Sequence, residues 1–243
     1  MVIAARDEAA NIEACVSSVR WAREVIVVEN DSSDDTVERA TRAGATVVSH
    51  PFVTIGGQRN AAIERAVCEW ILIVDADERA TPALAEEIRE VLSRLARHEA
   101  YRVPRRNFFL GREIRHGGWG RDRPVRLFRS TLRYNESRVH EHVETGGEVG
   151  DLKESLEHTP YVSLDDYFVK FDRYSRWWAE DRYERGKRAG AMAVVFRPPT
   201  RFLSMYLLRG GWMDGAAGAV LSCLAAASVM AKYARLWAWR GQK

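Results

Sequence analysis

Residues 70–79 read WILIVDADER. Trp70 to Val74 are apolar without interruption, and three acids, Asp75, Asp77 and Glu78, follow within four positions. An unbroken apolar run rich in β-branched residues is the pattern of a strand buried on both faces. Its acidic end needs a reason, because a carboxylate leaves water only at a cost unless something holds it. One reading is a pair of hard oxygen donors for a divalent cation, spaced by one residue at a strand tip. The other is a polar turn before the helix that Thr81 and Pro82 open, an N-cap followed by proline in the first turn.

The neighbouring sequence decides how that strand is housed. Short β-rich runs, VIAA (2–5), EVIVVE (24–29) and ATVVS (45–49), precede it. Helical patterns alternate with them: EAANIEACVSSV, DDTVERATRAG and GGQRNAAIERAV, then PALAEEIREVLSRLARH. Ser33 or Asp34 reads as an N-cap and Gly44 as a helix stop. Strand–helix alternation with near-continuous apolar strands predicts a parallel sheet covered on both faces. In such sheets ligands bind beyond the carboxyl ends of the strands. ARDE, ENDSSD and DADE therefore share one rim. Beyond residue 100 the short runs AYRVPR, PVRLFRS, LRYN and VHEHVE predict a mixed extension of the same sheet. A long aromatic helix follows, with Tyr167, Phe168, Phe171, Tyr174, Trp177 and Trp178 expected mostly in the core. A break is expected at Pro198-Pro199.

Composition narrows the function classes. The 243 residues are 46% hydrophobic and 29% charged with a net charge of +3, which excludes a bulk polycation. The three cysteines, Cys15, Cys68 and Cys223, are far apart in apolar settings and read as buried thiols of a reducing compartment. The opening MVIAARDEAAN lacks a basic segment and a long apolar run, so a cytosol-facing protein is expected. Ten arginines between residues 101 and 133 face only Glu113 and Asp122. Arginine forks suit phosphate and carboxylate, which points to an anionic acceptor or membrane surface. Interleaved aromatics would also suit nucleic acid, but no nucleic-acid fold pattern accompanies them, and none is expected as a partner. The last forty residues are apolar and basic, with an uncharged core from Gly215 to Ala231. Tryptophans and arginines flank it, the pattern of helices lying on a leaflet; a span and simple packing on the domain are the alternatives.

Several segments, taken in order, resemble glycosyltransferase family 2, the inverting enzymes of the GT-A fold. IAARDEAANIEACVSSV is similar to the family's opening strand and helix, and VIVVENDSSDDT to its nucleotide-binding segment. GGQRNAAIERAVCEWILIVDADE is similar to the stretch ending in its DxD. HGGWGRDRPVRLFR, VHEHVE and FDRYSRWWAEDRYERGKR resemble the subgroup typified by lipopolysaccharide-core β-1,4-glucosyltransferases. Glu29, Asn30 and Asp31 stand where Asp-Asp-Gly is usual.

The resemblance implies an α/β, Rossmann-like mixed sheet with helices on both faces and C-terminal amphipathic helices. It places a catalytic domain over 1–160, its nucleotide-binding half over 1–100 and its acceptor-side half over 101–160, and a membrane-associating region over 161–243. It implies a nucleotide diphosphate sugar as donor, UDP-linked by preference, an anionic cell-envelope glycolipid as acceptor, and a Mn2+ or Mg2+ ion. Asp77 would be the direct metal ligand and Asp75 would contact the metal or the ribose, both as part of the nucleotide-sugar site, with His140 reaching the metal or the phosphates. The backbone of Ala5 with Glu8, Glu29, Asn30 and Arg59 would bind the nucleotide sugar, Trp119, Arg126 and Arg129 the acceptor or phosphate, and Asp122 would be the general base. A His-x-His zinc site at His140 and His142 is the competing idea, but the cysteines lie in the wrong places for it. A nucleotidyltransferase would need a glycine-rich, lysine-containing phosphate loop near the N-terminus, which is not found. A non-catalytic membrane adaptor would not need Asp75, Asp77 and Asp122 intact.

Overall fold

A computed structural model of the chain describes residues 1–94, 96–135 and 141–241. In chain order the elements are β1 (Val2–Ala5), α1 (Ile12–Ser18), β2 (Ile26–Glu29), α2 (Thr36–Arg42), β3 (Thr46–Ser49), α3 (Ile55–Arg65), β4 (Trp70–Asp75) and β5 (Glu78–Ala80). There follow α4 (Pro82–Ser93), β6 (Ala100–Arg102), β7 (Arg105–Phe109), β8 (Arg112–Ile114), β9 (Val125–Arg129), β10 (Gly150–Asp151) and β11 (Leu156–Tyr161). The chain ends in α5 (Leu164–Glu184), α6 (Ala191–Leu203) and α7 (Gly215–Ala238). Two compact units are formed, Met1–Arg105 with Arg123–His158, and Arg106–Asp122 with Thr159–Lys243. Residues 106–122, which read as part of the acceptor-side half, thus group with the C-terminal helices.

The first unit is built on a seven-stranded sheet of order β10-β6-β9-β4-β1-β2-β3. β3, β2, β1 and β4 are parallel, β9 runs antiparallel to β4, and β6 antiparallel to β9. Alternation of side chains along each strand feeds two cores. Ile3, Val27, Leu72 and Val74 pack with Cys15 and Val16 of α1, Ala40 of α2, and Leu84 and Ile88 of α4. Val2, Ile26, Ile71 and Ile73 pack with Ala62 and Ile63 of α3. The continuous apolar runs of β1, β2 and β4 are explained by a helix-covered face on either side, and each large aliphatic buried there contributes roughly 1.5–3 kcal/mol; β3, at the sheet edge, has no fully buried residue.

Local signals are met in part. Thr81 Oγ1 accepts from Leu84 N–H at 3.1 Å with Pro82 in the first turn, and Gly44 has φ of 98° after α2. The N-cap of α2 is Asp35, without a capping side-chain bond, while Asp34 accepts from Thr36 N–H at 3.0 Å. LRYN and VHEHVE form no described strand; a single bridge joins Tyr134 and Val143. β5 pairs antiparallel with the start of β11, setting His158 opposite Glu78.

The second unit holds the β7–β8 hairpin, which the sequence reading did not separate from its surroundings. Its two-residue turn, Leu110 and Gly111 with φ of 48° and 77°, has the left-handed geometry that matches strand twist. Its core joins Phe109 and Ile114 to Tyr167, Met205 and Leu221. α6 runs through Pro198 and Pro199 without the expected break. Two prolines withdraw the donors that Val194 and Val195 carbonyls would use, and the helix passes into a π-helical turn at Ser204–Leu208. The aromatic face of α5 is only partly core, because Phe168, Tyr174 and Trp177 are exposed. Cys15 is buried as expected, but Cys68 is half-buried and Cys223 exposed; all three are free thiols.

Candidate active site at the tip of the fourth strand

The parallel register aligns the strand ends: Ala5 faces Glu29 across β1–β2, and Ala4 faces Asp75 across β1–β4. Ala5, Glu29 and Asn30 are buried at this rim and Glu8 is half-buried. The loops after β1 and β2 are laced together. Asp7 accepts from the Ser33 N–H at 2.8 Å and its hydroxyl at 3.0 Å, Asp34 from Ala9 N–H at 3.0 Å, and Glu29 from Ser32 N–H at 3.2 Å. Asp7 and Asp31 sit at φ of 53° and 46°, a region aspartate tolerates better than most side chains. Glu8 accepts from the Asn11 amide at 2.7 Å, while its own N–H donates to Thr36 Oγ1 at 2.8 Å.

The acids of β4 and β5 divide into two kinds. Arg59 donates to Asp75 Oδ1 at 2.6 Å, and Arg126 makes a short bond to Asp75 Oδ2. Arg126 and Arg105 both donate to Glu78 Oε1 at 3.0 Å, and Glu78 Oε2 accepts the Asp75 N–H at 2.9 Å. Arg59 also reaches Glu141 Oε1 at 3.3 Å. Asp75, Glu78 and Glu141 are therefore matched by three arginines, Arg59, Arg105 and Arg126. Burial by itself would push the Asp75 carboxyl up; Arg126 and Arg59 outweigh it and hold it well below the usual range. The two guanidiniums are raised in turn: burial opposes, and Asp75 overcomes it in both. Glu78 is completely buried, so it belongs to this frame and neither caps α4 nor pairs with the Arg79 side chain, which donates to the Ala76, Glu78 and Asn11 carbonyls. Asp77 is the acid outside the frame, with the His158 imidazole Nε2 at 3.6 Å from Oδ1.

Arg59 is held in place by packing below it. Its guanidinium lies 5.1 Å from the centre of the Tyr134 ring, and the Asn60 side chain pins the Tyr134 backbone, donating to its carbonyl and accepting its N–H, both at 2.9 Å. α3 approaches this segment closely at Gly56, where a Cβ would stand 2.6 Å from the Asn135 carbonyl oxygen. Gly56→Ala is expected to destabilise the protein by roughly 1–3 kcal/mol in denaturant unfolding, because backbone must shift to admit the methyl group. An unchanged midpoint would show that the contact yields freely.

The remaining expected site residues are scattered. Arg126 is committed to Asp75 and Glu78 and is not a solvent-facing phosphate ligand. Arg129 lies opposite Trp70, at the other end of β4 from Asp75; it pairs with Glu69 and stacks 4.4 Å from the Trp70 ring centre. That distance along the strand removes it from the rim. Trp119 and Asp122 belong to the second unit. The Trp119 ring is edge-on to Phe109 at 6.4 Å and its carbonyl accepts from Asn107 at 2.7 Å; Asp122 is half-buried in the loop before β9. His140 lies outside the described residues. His142 is exposed and within hydrogen-bond distance of Asn135, and Glu141 turns inward to Arg59. The arginine-rich stretch is largely matched within the protein: Arg106 and Arg115 pair with Glu113, whose carboxyl their hydrogen bonds pull down to about 2.

Among the described residues no three His, Cys, Asp or Glu side chains converge as a metal cage. The donor set that does fit a hard cation is Asp77 with His158 beside it, since magnesium-type sites use one or two protein donors and fill the rest with phosphate and water. Asp75 does not fit as a ligand, because both of its oxygens are taken by arginine.

A mostly parallel, helix-covered sheet with an Asp-x-Asp at a strand tip is the architecture of a GT-A glycosyltransferase. The chain belongs to glycosyl transferase family 2, whose model matches residues 1–159. It is 30% identical over 243 residues to the lipopolysaccharide core biosynthesis glycosyltransferase LpsC of Rhizobium meliloti, covering 94% of this chain and 90% of that one. An uncharacterized glycosyltransferase of Rickettsia felis is 28% identical over 96% of this chain and 87% of its own. Among solved structures, glucosyl-3-phosphoglycerate synthase from Mycobacterium tuberculosis, in complex with Mg2+ and uridine diphosphate, aligns with a TM-score of 0.39 and 24% identity over 43% of this chain and 42% of that one. A likeness of that size is too slight to carry a ligand from that enzyme to this chain.

Proposed function

We propose that the protein is an inverting hexosyltransferase that uses a nucleotide diphosphate sugar, UDP-linked by preference, and a divalent cation. The acceptor is an anionic glycolipid of the bacterial cell envelope, most simply the lipopolysaccharide core, met at the inner face of the cytoplasmic membrane. The observation that carries this reading is the separation of Asp77 from a charge-balanced arginine frame at the rim that Ala5, Glu29 and Asn30 share. The R. meliloti relative supports the choice of acceptor; the same chemistry on a polyprenyl phosphate, another glycolipid or a protein differs only in that choice.

Each group has a distinct task. Asp77, with His158 and with His140 by resemblance, holds the cation. When bound, the cation neutralises charge on the departing diphosphate. Glu8, Glu29 and Asn30, with the Ala5 backbone, bind the nucleoside. Arg59 and Arg126 keep Asp75 ionised, so that the strand tip has a fixed shape and a fixed charge. Asp122 takes the proton of the acceptor hydroxyl as its oxygen bonds to the anomeric carbon and the bond to the diphosphate oxygen breaks on the opposite face.

Thermal unfolding with UDP-, GDP-, ADP- and CMP-sugars, with and without Mn2+, tests the donor assignment. A UDP-sugar at about 100 times its Kd should add ~2.7 kcal/mol of stability, only when Mn2+ is present; no shift with any of the four sinks the reading. Asp122→Asn should keep that shift and lose transfer by about 10²-fold. Normal turnover would remove Asp122 as the base.

A further inference from the structure

The second unit holds a cavity of about 620 Å³ among α5, α6 and α7, with Trp119 and Tyr161 also in its wall. Three cations line it, Arg197 and Arg201 of α6 and Lys232 of α7, and no carboxylate is among its lining residues. None of the three pairs with a carboxylate among the described residues. Arg197 instead lies 4.6 Å from the centre of the Tyr233 ring, and Lys232 lies 6.0 Å from that of Trp178. Arg235, one turn further along α7, follows the opposite rule: it pairs with Asp172 and donates to Ser175 Oγ at 3.2 Å. Burial and then the charge of Arg209 push the Arg201 guanidinium down; burial and then Arg201 do the same to the Lys232 ammonium. Charges gathered this way repel one another until an anion arrives.

We propose that this cavity seats the phosphate group of a membrane lipid between Arg197, Arg201 and Lys232, with the lipid's apolar part against Leu221, Val229 and the ring of Trp178. Size separates this from a site for free phosphate. The volume falls in the range of pockets that enclose drug-sized ligands, and half of its wall is aliphatic or aromatic. The surroundings supply the lipid. Eight large apolar side chains between Met192 and Met213 are exposed, Leu208 and Met192 the most, at 84% and 68%. An apolar surface of that kind on helices carrying an exposed Arg197 and half-buried Arg201 and Lys232 matches an element lying in the headgroup layer. Gly211–Ala238 is also long and apolar enough to cross a membrane by length and composition. However, its Leu221, Val229 and Lys232 face the cavity, which argues for lying on the bilayer.

The site is independent of the donor assignment, so its test reads lipid binding alone. The full chain is sedimented with phosphatidylcholine vesicles, with and without phosphatidic acid, and the same protein is titrated with inorganic phosphate. Binding should require phosphatidic acid, and inorganic phosphate at matched phosphate concentration should not displace it. Arg201→Gln with Lys232→Gln should weaken vesicle binding roughly tenfold or more. Lys232→Arg should retain it, and so should the paired surface control Arg42→Gln with Arg94→Gln, whose charges are exposed on α2 and just past α4. Wild-type vesicle binding by a Gln double variant that melts like the wild type overturns the proposal. So does displacement by inorganic phosphate, which would make this a free-anion site, or equal loss in the surface control, which would make the attraction non-specific.

Discussion

Arg126→Leu is expected to lower unfolding stability at pH 7 by roughly 3–5 kcal/mol, the loss seen when one partner of a buried ion pair is removed. Arg126 is 4% exposed on its side chain and serves two acids at once, Asp75 and the fully buried Glu78. Leucine keeps much of the volume but leaves Glu78 with Arg105 alone and Asp75 with Arg59 alone. The pH dependence has a definite sign. In the wild type the folded-state Asp75 carboxyl is depressed, so its contribution is present above the unfolded value of ~3.9 and fades as pH falls through the lower folded value. In the variant Asp75 keeps only Arg59 and protonates more readily, so the penalty should shrink on acidification toward pH 4. Urea midpoints at pH 7 and pH 4 check this. A loss below ~1 kcal/mol at pH 7, or one that grows in acid, would show that the frame does not hold the strand tip.

Asp77→Ala should behave in the opposite way. Asp77 is outside the frame and, among the described residues, pairs only with His158 at 3.6 Å, so stability without ligand should stay within ~1 kcal/mol of the wild type. Mn2+-dependent stabilisation by the nucleotide sugar should vanish and transfer should fall on the order of 10³-fold, since charge neutralisation at a leaving diphosphate is worth several kcal/mol. Two acids separated by Ala76 are thereby predicted to part company, one mattering for folding and the other for turnover. Transfer within tenfold of wild type would remove Asp77 from the metal. A collapse in stability without ligand would place it in the frame.

The sheet was legible because its signals are local. Apolar runs of four to six residues, the Thr81-Pro82 start and the Gly44 stop each act within a turn or a strand. The Asp-x-Asp was legible for the same reason. Its division of labour was not, because the partners that decide it are remote: Arg126 is 48 residues from Glu78, and Glu141 is 82 from Arg59. No periodicity encodes such pairs. Charge counting was blunt for a related reason: six of the ten arginines between 101 and 133 meet acids of the protein itself, and counting does not say which. Arg129 shows how an antiparallel strand reverses expectation. Four residues past Val125 it has run the length of β4, to the end opposite the acids. His158 left no sequence signal beyond its place on a short strand, and became visible only through the β5–β11 pairing. The aromatic periodicity of α5 was real, but Trp177 and Tyr174 stay exposed beside Arg173, which lies 5.6 and 5.3 Å from their ring centres.

The balanced frame has a consequence for biosynthesis. The first hundred residues carry all four parallel strands and both aspartates, yet Arg105, Arg126 and Glu141 are made later. A nascent chain halted after α4 would own the acids without most of their counter-ions, leaving the end of β4 unsettled in an otherwise plausible sheet. The ribosome must deliver β9 before that end can close, so the tip of β4 cannot be completed within a fragment of the first hundred residues.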